Sequence, residues 1–148
     1  MASLNFEEER IEVTPIFYFI NYINLIYDNF LKKNFTDITP RDFTYLSNIF
    51  FHQNISQKEL ADLLYVSESN VTQIVKRLEK NGYIQRENIS DNKSKKILNL
   101  TSEGKVVIFS ILKQVYAWES KFLEQFSAEE QEIFKKIIYV YCEQALDY

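Results

Sequence analysis

The chain has 148 residues, 46% of them hydrophobic and 26% charged, with a net charge of −4, two glycines, two prolines, one cysteine and one histidine. That length accommodates a single domain with its own core. A lone cysteine excludes an intrachain disulfide, a lone histidine excludes a His/Cys metal cluster, and so few glycines argue against phosphate-cradling loops and a many-turned all-β fold.

The N-terminus is acidic at Glu7, Glu8 and Glu9, where a secretory signal would be basic. The apolar run over residues 16–20 is far short of the ~18 residues a membrane span needs. A cytoplasmic protein with no membrane partner is expected. Thr14-Pro15 reads as an N-cap followed by proline at the first helical position. Ile16, Phe19, Ile20, Ile23, Ile26, Tyr27, Phe30 and Leu31 then recur at the helical period, which predicts a helix over 15–33. Thr39-Pro40 repeats the start signal with Asp42 in the first turn, and Phe43, Leu46, Ile49 and Phe50 carry a second helix to about His52. Ser56 with Glu59 three residues on is a capping box. It opens a short helix whose apolar face is Leu60, Leu63 and Leu64. Ser67 caps the next helix, with Val71, Ile74, Val75 and Leu78 inside, and Asn81-Gly82 ends it.

The period then changes to two. Residues 83–87 read as a strand, 88–95 as a polar loop and 96–100 as a returning strand, together a hairpin with a basic tip. Thr101-Ser102-Glu103-Gly104 opens a long helix. One edge of its apolar stripe is Val107, Ile111, Val115, Trp118 and Phe122. A second capping box, Ser127 with Glu130, starts a last helix carrying Ile133, Phe134, Ile137, Ile138, Tyr141 and Leu146.

Helix, helix, short helix, tight turn, helix and hairpin is the order of a winged helix-turn-helix. The charge distribution agrees: residues 70–96 hold seven basic and three acidic side chains, although the chain as a whole is acidic. Acids on a distant face hardly disturb such a patch, because the Debye length at physiological salt is about 8 Å. The helix after Ser67 carries Ser69, Asn70, Thr72, Gln73, Lys76 and Arg77 on its non-apolar faces. The first four are short donors and acceptors suited to base edges, and the two cations are suited to phosphates. The helix start at Ser56 and Gln57 can offer backbone N–H groups to a phosphate. Lys93, Lys95 and Lys96 stand at or beside the wing tip, within reach of a minor groove.

The runs Ile55-Ser56-Gln57-Lys58-Glu59-Leu60-Ala61, residues 66–86 with Arg77-Leu78-Glu79-x-x-Gly82, Asp91-Asn92-Lys93 and Leu100-Thr101-x-x-Gly104 resemble the MarR family of transcriptional regulators over nearly the whole chain. The resemblance implies a mainly α (α+β) single domain. Residues 38–101 would form the winged DNA-binding region, and residues 12–36 and 102–148 the dimerisation helices. It implies a homodimer that reads a palindrome in double-stranded DNA, mostly as a repressor, often released by a small aromatic or anionic effector. Carried over by position, Ser69, Asn70, Thr72, Gln73 and Lys76 become base or phosphate contacts, with Ser67, Arg77 and Arg86 beside them. Asp91 resembles a wing aspartate that pairs with Arg86. The family's usual wing arginine is Lys93 here, and lysine lacks the planar fork.

Two further sets have competing readings. Phe17, Tyr18 and Tyr22, with Arg41 and Trp118, are candidates to line an effector pocket; the alternative is core and dimer packing for the aromatics and a surface role for Arg41. Cys142, with no basic neighbour in sequence to favour its thiolate, reads as a buried inert thiol rather than a redox sensor. His52 would be a zinc ligand only with carboxylates supplied by folding. No nucleophile elbow, Walker, dinucleotide or zinc motif is present, so an enzyme is not expected and no cofactor is implied. The rival functions are a winged-helix protein–protein adaptor, which would show an apolar patch on the recognition helix, and a DNA-binding regulator without an effector.

Overall fold

The computed structural model describes residues 4, 7–89 and 92–146. The elements in chain order are α1 (Glu8–Val13), α2 (Ile16–Asn34), α3 (Pro40–Phe51), β1 (Ile55–Ser56), α4 (Gln57–Leu63), α5 (Glu68–Lys80), β2 (Ile84–Ile89), β3 (Asn92–Leu100), α6 (Ser102–Leu123) and α7 (Ala128–Leu146). The fold is mainly helical with one small sheet, as the winged helix-turn-helix pattern predicts.

Most helix starts follow their local chemistry. Thr39 and Asp42 form a reciprocal capping box, as do Ser56 and Glu59. Ser67 and Thr101 accept from Asn70 N and Gly104 N, and Ser127 exchanges bonds with Glu130. Thr14 is the exception. Its hydroxyl donates to Arg10 O at 2.6 Å and so closes α1, a helix that has no clear sequence signal. Pro15, in extended conformation, becomes the N-cap of α2.

The three strands are antiparallel in the order β1-β3-β2. Ile55 faces Leu98, and the β2–β3 ladder runs from Ile84↔Leu100 to Ile89↔Asn92, with a shift in register at Asn88/Ile89. The loop expected over 88–95 is therefore mostly strand. Its side chains lack alternation because the outer hairpin has exposed residues on it, such as Glu87, Asn88 and Lys96. Main-chain ladder bonds, which no sequence period reports, hold it. The two-residue β1 has no sequence signal either. It exists because β3 offers it an edge.

The core lies inside the winged module. Leu46 and Ile49 from α3, Leu60 from α4, Val71, Val75 and Leu78 from α5, Leu98 from β3, and Ile108 and Ile111 from α6 are fully buried. Each such side chain contributes roughly 1.5–3 kcal/mol by leaving water. The outer helices differ. α2 buries only Leu31, and α7 buries none of its residues. Cys142 is accordingly exposed in this single chain, not the buried thiol expected from the sequence. No helix among the described residues is long and apolar enough to cross a membrane.

Candidate nucleic-acid interface

α4, the turn after it and α5 form the helix-turn-helix, and the β2–β3 hairpin forms the wing. The turn is tight: Leu64 N bonds to Leu60 O, Tyr65 N to Asp62 O and Val66 N to Ala61 O, all within 3.2 Å. Tyr65 takes the left-handed conformation (φ 52°) and is 78% exposed. A non-glycine residue there costs roughly 1–2 kcal/mol, which the anchored turn sustains.

α5 divides cleanly. Val71, Ile74, Val75 and Leu78 are buried, whereas Ser69, Gln73, Lys76 and Arg77 are exposed and Asn70 and Thr72 half-buried. No apolar patch is left on the helix face an adaptor would need. The exposed polar set presents hydroxyl, amide and ammonium groups, the chemistry of base edges and phosphates.

Three contacts from outside hold α5. At the start of α3, Arg41 Nη2 donates to Asn70 Oδ1 and the adjacent Asp42 Oδ1 accepts from Arg77 Nη2. Asp42 is only 4% exposed, and its other oxygen accepts from Thr39 N and Thr39 Oγ1 at 3.0 and 2.8 Å. It thus caps α3 and anchors α5 with one carboxylate. The third contact is a relay from the wing. Arg86 Nε donates to both Glu79 oxygens (3.2 and 3.0 Å) and its Nη2 also reaches Glu79 Oε2. Arg86 Nη1 reaches Gln57 Oε1 at 3.5 Å, Gln57 Nε2 donates to Thr72 Oγ1 at 2.9 Å, and Thr72 Oγ1 donates to Glu68 O at 2.8 Å. The hydrogen bond from Arg86 holds the Glu79 carboxyl below its ordinary value, and Glu79 in turn raises the Arg86 pKa.

This geometry gives partners within the protein to several of the residues assigned from the sequence. Ser56 is buried and its hydroxyl is the capping acceptor for Glu59 N, so it turns inward. Ser67 is also a cap, and its hydroxyl is shared with Ser69 at 3.0 Å. Gln57 and Thr72 are bonded to each other. Arg77 is bonded to Asp42, although its side chain remains 48% exposed. The wing partner expected for Arg86 was Asp91. Asp91 lies outside the described residues, and the acid on Arg86 is Glu79, which the sequence shows only as part of a motif. Lys93 and Lys95 belong to β3; Lys96 is exposed. The basic patch is interrupted too. A concavity of about 670 Å³ between α4, the start of α5 and β3 sets Lys58 and Lys96 beside Glu59, Asp62 and Glu68.

The expected effector residues do not converge. Phe17 and Tyr18 are exposed on the first turns of α2, with Tyr18 against Tyr22 (ring centroids 5.2 Å apart). Trp118 stacks on Phe30 at 4.4 Å and meets Tyr27 and Phe122 edge-on. Arg41 serves Asn70. The aromatic set is divided along the length of α2 because residues 17–22 and 27–30 are more than a helical turn apart. His52 is exposed with Nδ1 3.0 Å from Asn48 O, and no group of three metal-ligating side chains forms among the described residues.

A tight helix-turn-helix with a polar outward recognition helix and a β-hairpin wing defines a winged-helix DNA-binding protein. The MarR family model matches residues 38–95. An HTH-type transcriptional regulator of Bacillus cereus is 34% identical over 121 residues, covering 82% of this chain and 77% of that one. A crystal structure of MarR superposes with a TM-score of 0.74 at 26% identity, covering 91% of this chain and all of that one. FabT of Streptococcus pneumoniae, solved in complex with DNA, superposes with a TM-score of 0.73 at 21% identity, covering 95% and 99%. The chain belongs to the MarR family of DNA-binding transcriptional regulators.

Proposed function

We propose that this protein is a cytoplasmic homodimeric repressor that reads a palindromic operator and leaves it when a small aromatic or anionic effector binds. The observation that carries the reading is α5. All its apolar side chains are buried, its outward face is polar and cationic, and side chains from α3 and the wing fix its position. Ser69, Asn70, Gln73 and Lys76 are the groups it presents to DNA, with Lys93, Lys95 and Lys96 of the wing at the adjoining phosphates or minor groove.

Dimerisation by the segments 12–36 and 102–148 is supported by their exposed apolar surface. Ile137 is 60% exposed, Ile16, Phe17, Ile26, Ile133 and Tyr139 are exposed as well, and Ile133, Ile137, Val140 and Tyr141 line a groove of about 600 Å³. Patches of this kind mark protein interfaces. Two recognition helices about 34 Å apart would read half-sites roughly 10 bp apart. A dimer seated on a promoter excludes polymerase, which is the sense of repression. Effector release is supported by a cavity of about 360 Å³ between the segment that follows α2, Tyr83 and α6, bounded by Phe35, Ile38, Tyr83, Val107 and Ile111. A wedge there would change the angle between the winged module and the outer helices.

The test is fluorescence anisotropy with a duplex from upstream of the protein's own gene and an unrelated duplex, across a salt series. Tight, salt-steep binding to the upstream duplex alone is expected. Lys76→Ala should lower the salt slope by about 1 for each phosphate that Lys76 neutralises, so by about 2 per dimer. Aromatic carboxylates should then release the complex. Weak, salt-insensitive binding to both duplexes would overturn the reading, as would a monomer in light scattering at micromolar concentration.

A further inference from the structure

Asn70 is the third residue of α5, at the end of a recognition helix that meets base edges. Its amide oxygen accepts from Arg41 Nη2 of α3. A guanidinium has five donors and no acceptor, so this contact leaves the amide one orientation: Oδ1 toward Arg41 and Nδ2 free to point outward. Asparagine reads adenine with both ends of its amide, accepting from N6 and donating to N7. With one Oδ1 lone pair and the orientation of the amide given to a cation, turning both ends of the amide to one adenine edge would forfeit a charge-assisted bond.

We propose that Arg41, which lies outside the recognition helix, is a specificity-determining positioning residue: it makes Asn70 a donor-only reader that favours the acceptor edge of guanine over adenine. This deepens the DNA-reading function proposed above and rests on it. The neighbouring relay follows the same logic. Arg86 on Gln57 Oε1 turns Gln57 Nε2 toward Thr72, and the Thr72 proton goes to Glu68 O. Thr72 is left with a methyl group and one lone pair but no donor. Two arginines, one from α3 and one from the wing, thus set the hydrogen-bond polarity of side chains on α5 without belonging to it.

The experiment begins with selection of preferred duplexes from a random library by the full-length protein. The base pair read by Asn70 is the one at which Asn70→Ala relaxes the preference. Guanine and adenine are then compared at that position for the wild type, Arg41→Met and Arg41→Lys. A donor-only amide gains one neutral hydrogen bond at guanine O6 that adenine N6 does not offer, worth about 1 kcal/mol, so roughly fivefold is the effect to look for. The wild type should favour guanine by about that factor, Arg41→Met should lose the preference or invert it toward adenine, and Arg41→Lys, which keeps a donor-only cation, should retain it. If Arg41→Met weakens all duplexes equally and keeps the guanine preference, Arg41 is a phosphate contact and the proposal falls while DNA reading stands. A wild-type preference for adenine at that position overturns it as well. If the wild type selects no duplex, DNA reading fails and this proposal fails with it.

Discussion

Replacing Gly104 with alanine tests how the wing is joined to α6. A Cβ built on Gly104 would lie 3.0 Å from the carbonyl carbon of Tyr83 and 3.2 Å from its Cα, with the carbonyl oxygen closer still. That backbone is pinned on both sides. Tyr83 N donates to Leu78 O at 3.0 Å, Thr101 N donates to Tyr83 O at 3.1 Å, and Thr101 Oγ1 donates to Gly82 O at 2.5 Å. Forcing a methyl group into a site with no compliant neighbour costs about 1–3 kcal/mol. Displacing Tyr83 O from Thr101 N adds about 1 kcal/mol. The expected loss is about 3 kcal/mol, or a fall in melting temperature of roughly 10 °C for a chain of this size. Gly82→Ala is the comparison. Its φ of 81° is left-handed, but a Cβ there meets nothing within 4 Å, so it should lose only about 1 kcal/mol through backbone strain. Urea unfolding followed by circular dichroism measures both, at one fixed protein concentration because dimerisation would contribute to stability. A loss under 1 kcal/mol for Gly104→Ala, or a larger loss for Gly82→Ala, would refute the argument from close approach.

Two other outcomes are expected. Asp42→Ala removes both a helix cap and the partner of Arg77, and should destabilise by about 2–3 kcal/mol. A double-mutant cycle with Arg77→Ala should return a coupling of about 1 kcal/mol, and additivity of the two losses would show that the pair is not coupled. Glu79 ionises more readily in the folded chain than at its ordinary value of 4.5 because Arg86 is bonded to it. The stability it supplies is therefore present above that value and disappears as pH falls through the lower folded value. Glu79→Gln should cost about 0.5–1 kcal/mol at pH 7, the scale of a partly exposed pair, and progressively less as pH falls below 4.5 through the lower folded value. A difference from wild type that stays constant across that range would disprove the linkage.

The sequence by itself determined the order of the elements other than α1 and β1, and the face α5 buries. Thr39, Ser56, Ser67, Thr101 and Ser127 mark their helices because a cap acts within three residues of itself. Val71, Ile74, Val75 and Leu78 mark the inward face because the helical repeat places them together whatever else the chain does. The tertiary structure alone decided which polar groups on the recognition helix are held and by what. Arg41 and Asn70 are 29 residues apart, Asp42 and Arg77 35, and Gln57 and Arg86 29. No local rule relates such pairs; only the packing of α3, α4 and the wing around α5 brings them together. For the same reason Thr14 closes α1 instead of opening α2, Ser56 turns inward and pairs with β3, and the aromatic residues of α2 separate into an exposed group and a stack on Trp118. What a backbone can do locally is written in neighbouring residues, whereas which donor finds which acceptor depends on surfaces that exist only once the core has formed.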